Sequence, residues 1–176
     1  MCHLKKLSVD GLFVVIPLVE FRNTPSVRFH VLPENKISRI DSVDRVEHGP
    51  NAVSPTIKGD TARYWYYHKA QTDNLLVFLG SRITELYTPR HGKVETIEVT
   101  AEWVRHNGEL VVEAPAILSW PPCVFHRVSS GENGSLSLNF AVHEPGFSLQ
   151  DNFDIYDVDT ETGQYSIVRQ GFLDQK

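Results

Sequence analysis

An all-β fold, a sandwich or jelly roll, is what this sequence predicts, and three observations lead there. Short runs of β-forming residues recur along the chain, several with apolar and polar residues alternating at period 2. Turn residues separate them at fairly regular spacing. No long stretch carries the 3.6-residue apolar period of an amphipathic helix, so a βαβ architecture is excluded.

Taken in order, the first expected strand is the apolar run Leu12–Leu18, followed by Val27–Leu32. The polar segment Glu34 to Lys58, with Pro50 and Pro55, reads as a crossing loop, a lid or a dimer arm. Leu75–Leu79 is apolar throughout and ends at the turn pair Gly80-Ser81, with Ile83–Tyr87 beyond it. Thr96–Val99 follows His91-Gly92, and Leu110–Ala114 follows Asn107-Gly108. Ala116–Trp120 leads into Pro121-Pro122, and Val124–Val128 leaves that rigid turn. Leu136–His143 follows Asn133-Gly134 and alternates most clearly, with Leu136, Leu138, Phe140 and Val142 expected to face a core. Asp154–Val158 and Tyr165–Val168 form a hairpin about Thr162-Gly163. Asn107-Gly108 and Asn133-Gly134 are the strongest hairpin signals, because both residues of a type I′ turn need positive φ. Val77, Leu79, Leu118 and Val128 are expected to be buried.

Composition narrows the function. The chain has 176 residues, 41% hydrophobic and 22% charged, which is ordinary for one globular domain. Lys and Arg total 17 against 22 Asp and Glu, a formal charge of −5, so the basic stripe of a nucleic-acid binder is missing. The longest nearly unbroken apolar run, Leu12 to Val19, is interrupted by Pro17 and is short of the roughly 20 residues that span a bilayer. Asp10 and Gly11 follow Lys5 and Lys6 too soon for a signal peptide. Cys2 and Cys123 make no disulfide framework. A cytoplasmic protein that binds neither nucleic acid nor membrane is expected.

The chain becomes specific between Arg63 and Gly80. On a strand, Tyr66, His68 and Ala70 share one face, and Trp65, Tyr67 and Lys69 the other. Gln71 and Asp73 follow, then the apolar run and its glycine. Farther on, Ser119-Trp120-Pro121-Pro122-Cys123-Val124-Phe125-His126 sets a second histidine at the head of a strand. Two imidazoles and one carboxylate, from His68, Asp73 and His126, are the donor types for Fe(II), Mn(II) or Zn(II). Hydrogen-bonded interior histidines without an ion are the alternative.

These two segments resemble the two motifs of the cupin superfamily. The first motif, HxH followed by Glu and a glycine, reads here as Tyr66-x-His68, Asp73, Gly80. The second, PxGxxH, reads as Pro121-x-Cys123-x-x-His126. Within the cupins, Arg63-Tyr64-Trp65-Tyr66-Tyr67-His68-Lys69-Ala70-Gln71 is similar to the RGxH segment of the RmlC-type dTDP-sugar epimerases and isomerases. The likeness extends from Gly11 to Val142. It implies a single domain that is a double-stranded β-helix, or jelly-roll barrel, with extra N-terminal strands; its core runs over about 11–143, and 144–176 is an extension without a placement.

The resemblance also implies a sugar-nucleotide substrate and proton transfer beside a keto group. His68 is then the acid/base and Tyr66 a proton donor or hydroxyl contact. Arg63, Lys69, Gln71 and Trp120 are candidate substrate contacts, with Arg63 the leading candidate to grip a diphosphate through its forked donors and Arg82, Arg127 and Lys69 the lesser ones. Tyr66 stands where the epimerases have their catalytic histidine, Tyr64 and Cys123 where the motifs have glycine. Two alternatives remain open: a metal-dependent cupin enzyme on a small polar metabolite, and a non-catalytic binding cupin. A homodimer is expected, because an open sandwich has edges to cover.

Overall fold

The computed structural model describes residues 7–57, 59, 60 and 62–175; Cys2, Lys5, Lys6 and Lys58 lie outside them. The strands are β1 (Ser8–Val9), β2 (Phe13–Pro17), β3 (Val19–Thr24), β4 (Val27–Val31), β5 (Ser42–His48), β6 (Val53–Ser54), β7 (Trp65–Tyr67) and β8 (Gln71–Tyr87). They continue as β9 (Glu95–Thr100), β10 (Val104–His106), β11 (Glu109–Val112), β12 (Ala116–Trp120), β13 (Phe125–His143), β14 (Ile155–Val158) and β15 (Tyr165–Arg169). One 3₁₀ turn, Gly171–Asp174, is the helical element among the described residues. All pairings are antiparallel, as a jelly roll requires.

Two layers are made from strands that belong to both. The 17-residue β8 and the 19-residue β13 pair from Phe125–Tyr87 to His143–Gln71. Their early and late halves lie in different layers. One layer runs β1, β2, β12, the first half of β8, the second half of β13, then β5. The other runs β11, β10, β9, the second half of β8, the first half of β13, then β7, β14 and β15, with β6 also on β13. β3 and β4 form a separate hairpin, on which Phe21 and Phe29 meet edge to face at 5.2 Å while exposed to solvent.

The corner where both long strands change layer is built from glycine. Gly80 has φ +68 and Gly134 φ +71. A Cβ on Gly80 would collide with the Gly134 carbonyl, and one on Gly134 with the His48 carbonyl. Two expectations are corrected here. Gly80-Ser81 does not end one strand and start another, and Asn133-Gly134 is not a hairpin. Of that pair only Gly134 takes positive φ, whereas at Asn107-Gly108 both do (50° and 84°) and the expected β10–β11 hairpin forms. Turn chemistry and corner chemistry use the same residues, so sequence alone does not separate them.

Burial holds for Val77 (2% exposed) and Leu118 (0%) but fails for Leu79 (65%). The ladder shifts between Leu136–Leu79 and Ser137–Val77, making Phe78 a bulge residue that reverses the alternation and turns Leu79 outward. Val128 is only partly buried, because it faces a cavity instead of packed side chains. From Leu136 to Phe140 the period is right and the face is inverted, whereas Val142 is buried as expected. Ser135, Ser137 and Ala141 are buried, while Leu136, Leu138 and Phe140 are half-buried outside. Phe140, with Leu76 and Ile117, instead lies under the Leu32–Ile40 stretch. The polar segment that reads as a loop contains β5, whose burial alternates through Ser42, Asp44, Val46 and His48.

The barrel interior is therefore divided. Its apolar half contains Leu12, Phe13, Val15, Leu75, Val77, Leu86, Ile97, Val99 and Leu118, among others. Its other half, toward β5, β7 and β13, is polar and holds the cavity. A second aromatic cluster of Trp65, Tyr87, Phe125 and Tyr156 packs on the outside of the β7–β8–β13 layer.

The β9–β11 end is pinned by Glu95, which is 4% exposed. Its carboxylate accepts from His91 Nε2 (2.9 Å), His106 Nε2 (2.8 Å) and Asn107 Nδ2, with Lys93 Nζ at 3.4 Å. His91 and His106, to which the sequence assigns no partner, are thus both engaged. Burial raises the Glu95 pKa, but these donors outweigh it and hold the group at about 2. Because the folded-state value is depressed, the stabilisation is complete above the unfolded value near 4.5 and disappears as pH falls toward about 2. Glu95→Gln should lower the urea midpoint at neutral pH, and the gap to wild type should close across that acid window. A gap that stays constant with pH would contradict the assignment.

Candidate active site

Strand parity brings the predicted residues together. Tyr66, the middle residue of β7, faces inward between outward Trp65 and Tyr67, and His68 follows as the chain leaves the strand. His126, on β13, pairs with Tyr66 of β7 on one side and with Leu86 of β8 on the other. Gln71 and Asp73 open β8, and Trp120 closes β12 opposite Asp73. The cavity they share, ≈ 300 Å³, is also lined by Ser54, Arg82, Asn139 and Phe153 and by Asp44, Val46 and His48 of β5. The His68 and His126 ring centroids are 4.6 Å apart, and Tyr66 stands 6.5 and 5.8 Å from them.

Backbone carbonyls orient both imidazoles. His68 Nδ1 donates to the Asn152 carbonyl, and His126 Nδ1 donates to that of Val124 at 3.2 Å. This leaves each Nε2 as the ring's open nitrogen. Burial, reinforced by neighbouring His68, pushes the His126 pKa well below 6.5, so this ring is neutral at physiological pH. His68 Nε2 faces Asp73 Oδ2 at 3.6 Å. Asp73 Oδ1 accepts from Gln71 Nε2 (2.8 Å) and Asn139 Nδ2 (2.6 Å). Burial raises the Asp73 pKa against the opposing pull of His68, Gln71 and Asn139. Asn152 fixes Gln71 as well, its Nδ2 donating to Gln71 Oε1 at 2.9 Å. Burial also raises the Tyr66 pKa; with Ser54 Oγ donating to the phenol oxygen at 3.3 Å, the phenolic proton is free for a third group.

Five buried side-chain atoms of the described residues have no hydrogen-bond partner: His48 Nδ1, Asp73 Oδ2, Arg82 Nη2, Thr84 Oγ1 and Trp120 Nε1. All but that of Thr84 belong to cavity-lining residues. Each such group is expensive to bury unpaired, so their concentration on one cavity points to a polar occupant.

Two predicted substrate contacts are elsewhere. Arg63 shares the outward parity of Trp65 and ion-pairs with Glu85 (2.6 Å), the carboxylate that also takes Arg127 at 2.9 Å while Arg127 lies over the Trp65 ring. Lys69 is exposed and pairs with Asp151 at 2.8 Å. Sequence reasoning assigns no role to His48, Asp44, Asn139, Asn152 or Phe153. The β5 and β13 residues belong to strands whose inner face is polar, so no apolar stripe marks them. Asn152 acts on His68 through a main-chain carbonyl, which leaves no trace in residue type.

His68, Asp73 and His126 each offer one ligand atom within 4.8 Å of the others. Both Nδ1 atoms anchored on carbonyls, and an Asp73 oxygen without a partner, suit a divalent cation. Cys123, at the motif's glycine position, has φ 66, the left-handed conformation that glycine adopts without strain. Its N–H donates to the His68 carbonyl at 2.7 Å, tying the second segment to the first.

A jelly roll closed by two shared, corner-bent strands, with this His–Asp–His cluster in its polar half, is a cupin-type barrel. Solved structures with this fold include a dTDP sugar isomerase from Desulfovibrio desulfuricans G20, with a TM-score of 0.57 at 17% identity over 78% of this chain and 82% of that one. QdtA, a sugar 3,4-ketoisomerase from Thermoanaerobacterium thermosaccharolyticum in complex with TDP, gives 0.52 at 15% over 84% and 85%. A QdtA variant in complex with TDP-4-keto-6-deoxyglucose gives 0.52 at 16% over 81% and 86%. No family model matches the chain, and no curated protein matches it. Among the described residues, no helix is long and apolar enough to cross a membrane.

Proposed function

We propose that this protein is a sugar-nucleotide isomerase that moves a proton at the carbon beside a ketone, with the sugar inside the barrel and the nucleotide at its mouth. The carrying observation is the juxtaposition of an open imidazole nitrogen on His68 with a protonated Tyr66 phenol in one cavity. His68 Nε2 removes the proton from carbon as the Tyr66 O–H donates to the ketone oxygen, giving an enol. In the resulting enediol, His68 gives its proton to the former carbonyl carbon as the neighbouring hydroxyl returns one to Tyr66, which yields the isomeric ketone with no net change of charge or oxidation state. Asp73, fixed by Gln71 and Asn139, faces His68 and stabilises the imidazolium formed in between. The ligands of the QdtA complexes, TDP and TDP-4-keto-6-deoxyglucose, support this substrate class.

The experiment is solvent exchange: TDP-4-keto-6-deoxyglucose incubated with the protein in D₂O and followed by NMR. Deuterium should enter beside the ketone, and Tyr66→Phe should slow entry by about 10²–10⁴-fold if its hydroxyl is the acid. No exchange above the protein-free rate, with ligand bound, would leave a binding cupin. A second reading rests on the unpartnered Asp73 oxygen: His68, Asp73 and His126 hold a divalent ion, Fe, Mn or Zn, which would polarise a substrate oxygen. A homodimer is part of the proposal, since an isolated two-stranded ribbon is marginal in water and β3–β4 exposes Val19, Phe21, Val27 and Phe29.

A further inference from the structure

We infer that the Arg82–His48 end of the cavity is a seat for a carboxylate, so that an acidic sugar is held in preference to a neutral one; this rests on the reading of the site as a sugar-nucleotide isomerase. Arg82 is the buried cation of the barrel interior, 3% exposed. Its Nε donates to Ser135 Oγ at 2.9 Å, while Nη2 has no partner, and Arg82 forms no ion pair among the described residues. Burial lowers its pKa to about 10, which leaves it charged at neutral pH. A guanidinium held out of water with no ion pair and an unbonded nitrogen is unfavourable until an acceptor reaches it. His48 Nδ1 is likewise buried without a partner in the same lining.

The charge balance selects the anion. Among the described residues that line the cavity, Arg82 is the one arginine, and there is no lysine. Burial and the proximity of Arg82 push the His48 pKa down to about 4, so His48 is neutral at physiological pH. Asp44 and Asp73 line the same space. One guanidinium opposed by two carboxyl groups suits a monoanion with two oxygens, which Arg binds through its fork, better than a doubly charged phosphate.

Position agrees. Arg82 pairs with Ser130 across β13, four residues beyond His126 on the same strand. At ~3.3 Å per residue that is about 13 Å of backbone, a gap the arginine side chain itself partly spans. A keto group at His68 and an acid group at Arg82 therefore fit one small molecule in a cavity of ≈ 300 Å³.

The test is titration calorimetry of the whole chain with matched probes: D-glucuronate against its methyl ester, UDP-glucuronate against UDP-glucose, and inorganic phosphate. Each acid should bind about 10- to 100-fold more tightly than its neutral partner. Arg82→Met should erase that preference, and Arg82→Lys should keep part of it. Equal binding of acid and neutral partner, no binding of either acid, a preference that survives Arg82→Met, or phosphate binding above glucuronate would overturn the seat. The wild-type comparison decides by itself if Arg82→Met fails to fold. UDP-glucose and UDP-glucuronate bound alike would sink the carboxylate seat and leave the isomerase reading intact. Preference for glucuronate without any binding of UDP-sugars would do the reverse.

Discussion

Gly80→Ala should lower unfolding stability by about 3–5 kcal/mol, the largest loss expected from adding one methyl group to this chain. Two penalties combine. At φ +68 an alanine is strained by about 1 kcal/mol. The added Cβ also meets the Gly134 carbonyl and the backbone at Ser135, not a side chain that can swing away. Gly134 has little room to yield, because a Cβ built on it would itself run into the His48 carbonyl. Gly146 provides the control: its φ is +92, but a Cβ there would have nothing within 4 Å. Urea midpoints should show Gly146→Ala losing only the strain, and Gly80→Ala losing several times more. Equal losses would mean that the corner is not tightly packed.

His68→Ala should abolish proton exchange beside the ketone, a fall of about 10⁴-fold or to the uncatalysed rate. Its orientation supports the proposed role as base: Nδ1 is committed to the Asn152 carbonyl, and Nε2 is open and next to Asp73. Affinity for TDP, read by the shift of the thermal midpoint, should change little if the nucleotide binds at the mouth as proposed. Loss of binding and exchange together would reassign His68 to ligand contact. A chelator distinguishes the metal reading: exchange that survives chelation and fails in His68→Ala belongs to proton transfer alone. Metal analysis showing one divalent ion in wild type and none in the variant would instead support the ion. Tyr66→His rebuilds the motif's first histidine, and a gain of exchange would show that the scaffold keeps that geometry.

Strand residues were legible where an apolar run met a turn. Ala116–Trp120 is found with the same bounds, and the Tyr66/Trp65 alternation separates cavity from outer surface as parity predicts. The juxtaposition of His68, Asp73 and His126 was legible too, through the two motif-like segments. What was hidden has one physical origin. A barrel that encloses a polar ligand turns part of its polar side inward, so the rule that apolar means inside reverses on β5 and the second half of β13. The same inversion kept His48 and Asn139 from view. Motif order makes Arg63 a candidate substrate contact, although its parity with Trp65 and the waiting Glu85 carboxylate send it out.

The sharing of β8 and β13 between both layers has a consequence for motion. A sandwich of two independent sheets can breathe by letting one face fray while the other persists. Here Gln71–Tyr87 and Phe125–His143 pair with one another on both sides of the glycine corner. Peeling either layer therefore tugs on the strand that continues into the other. Hydrogen exchange in both halves should be governed by a single opening event, with the β3–β4 ribbon, bonded outside that ladder, exchanging on a faster clock of its own.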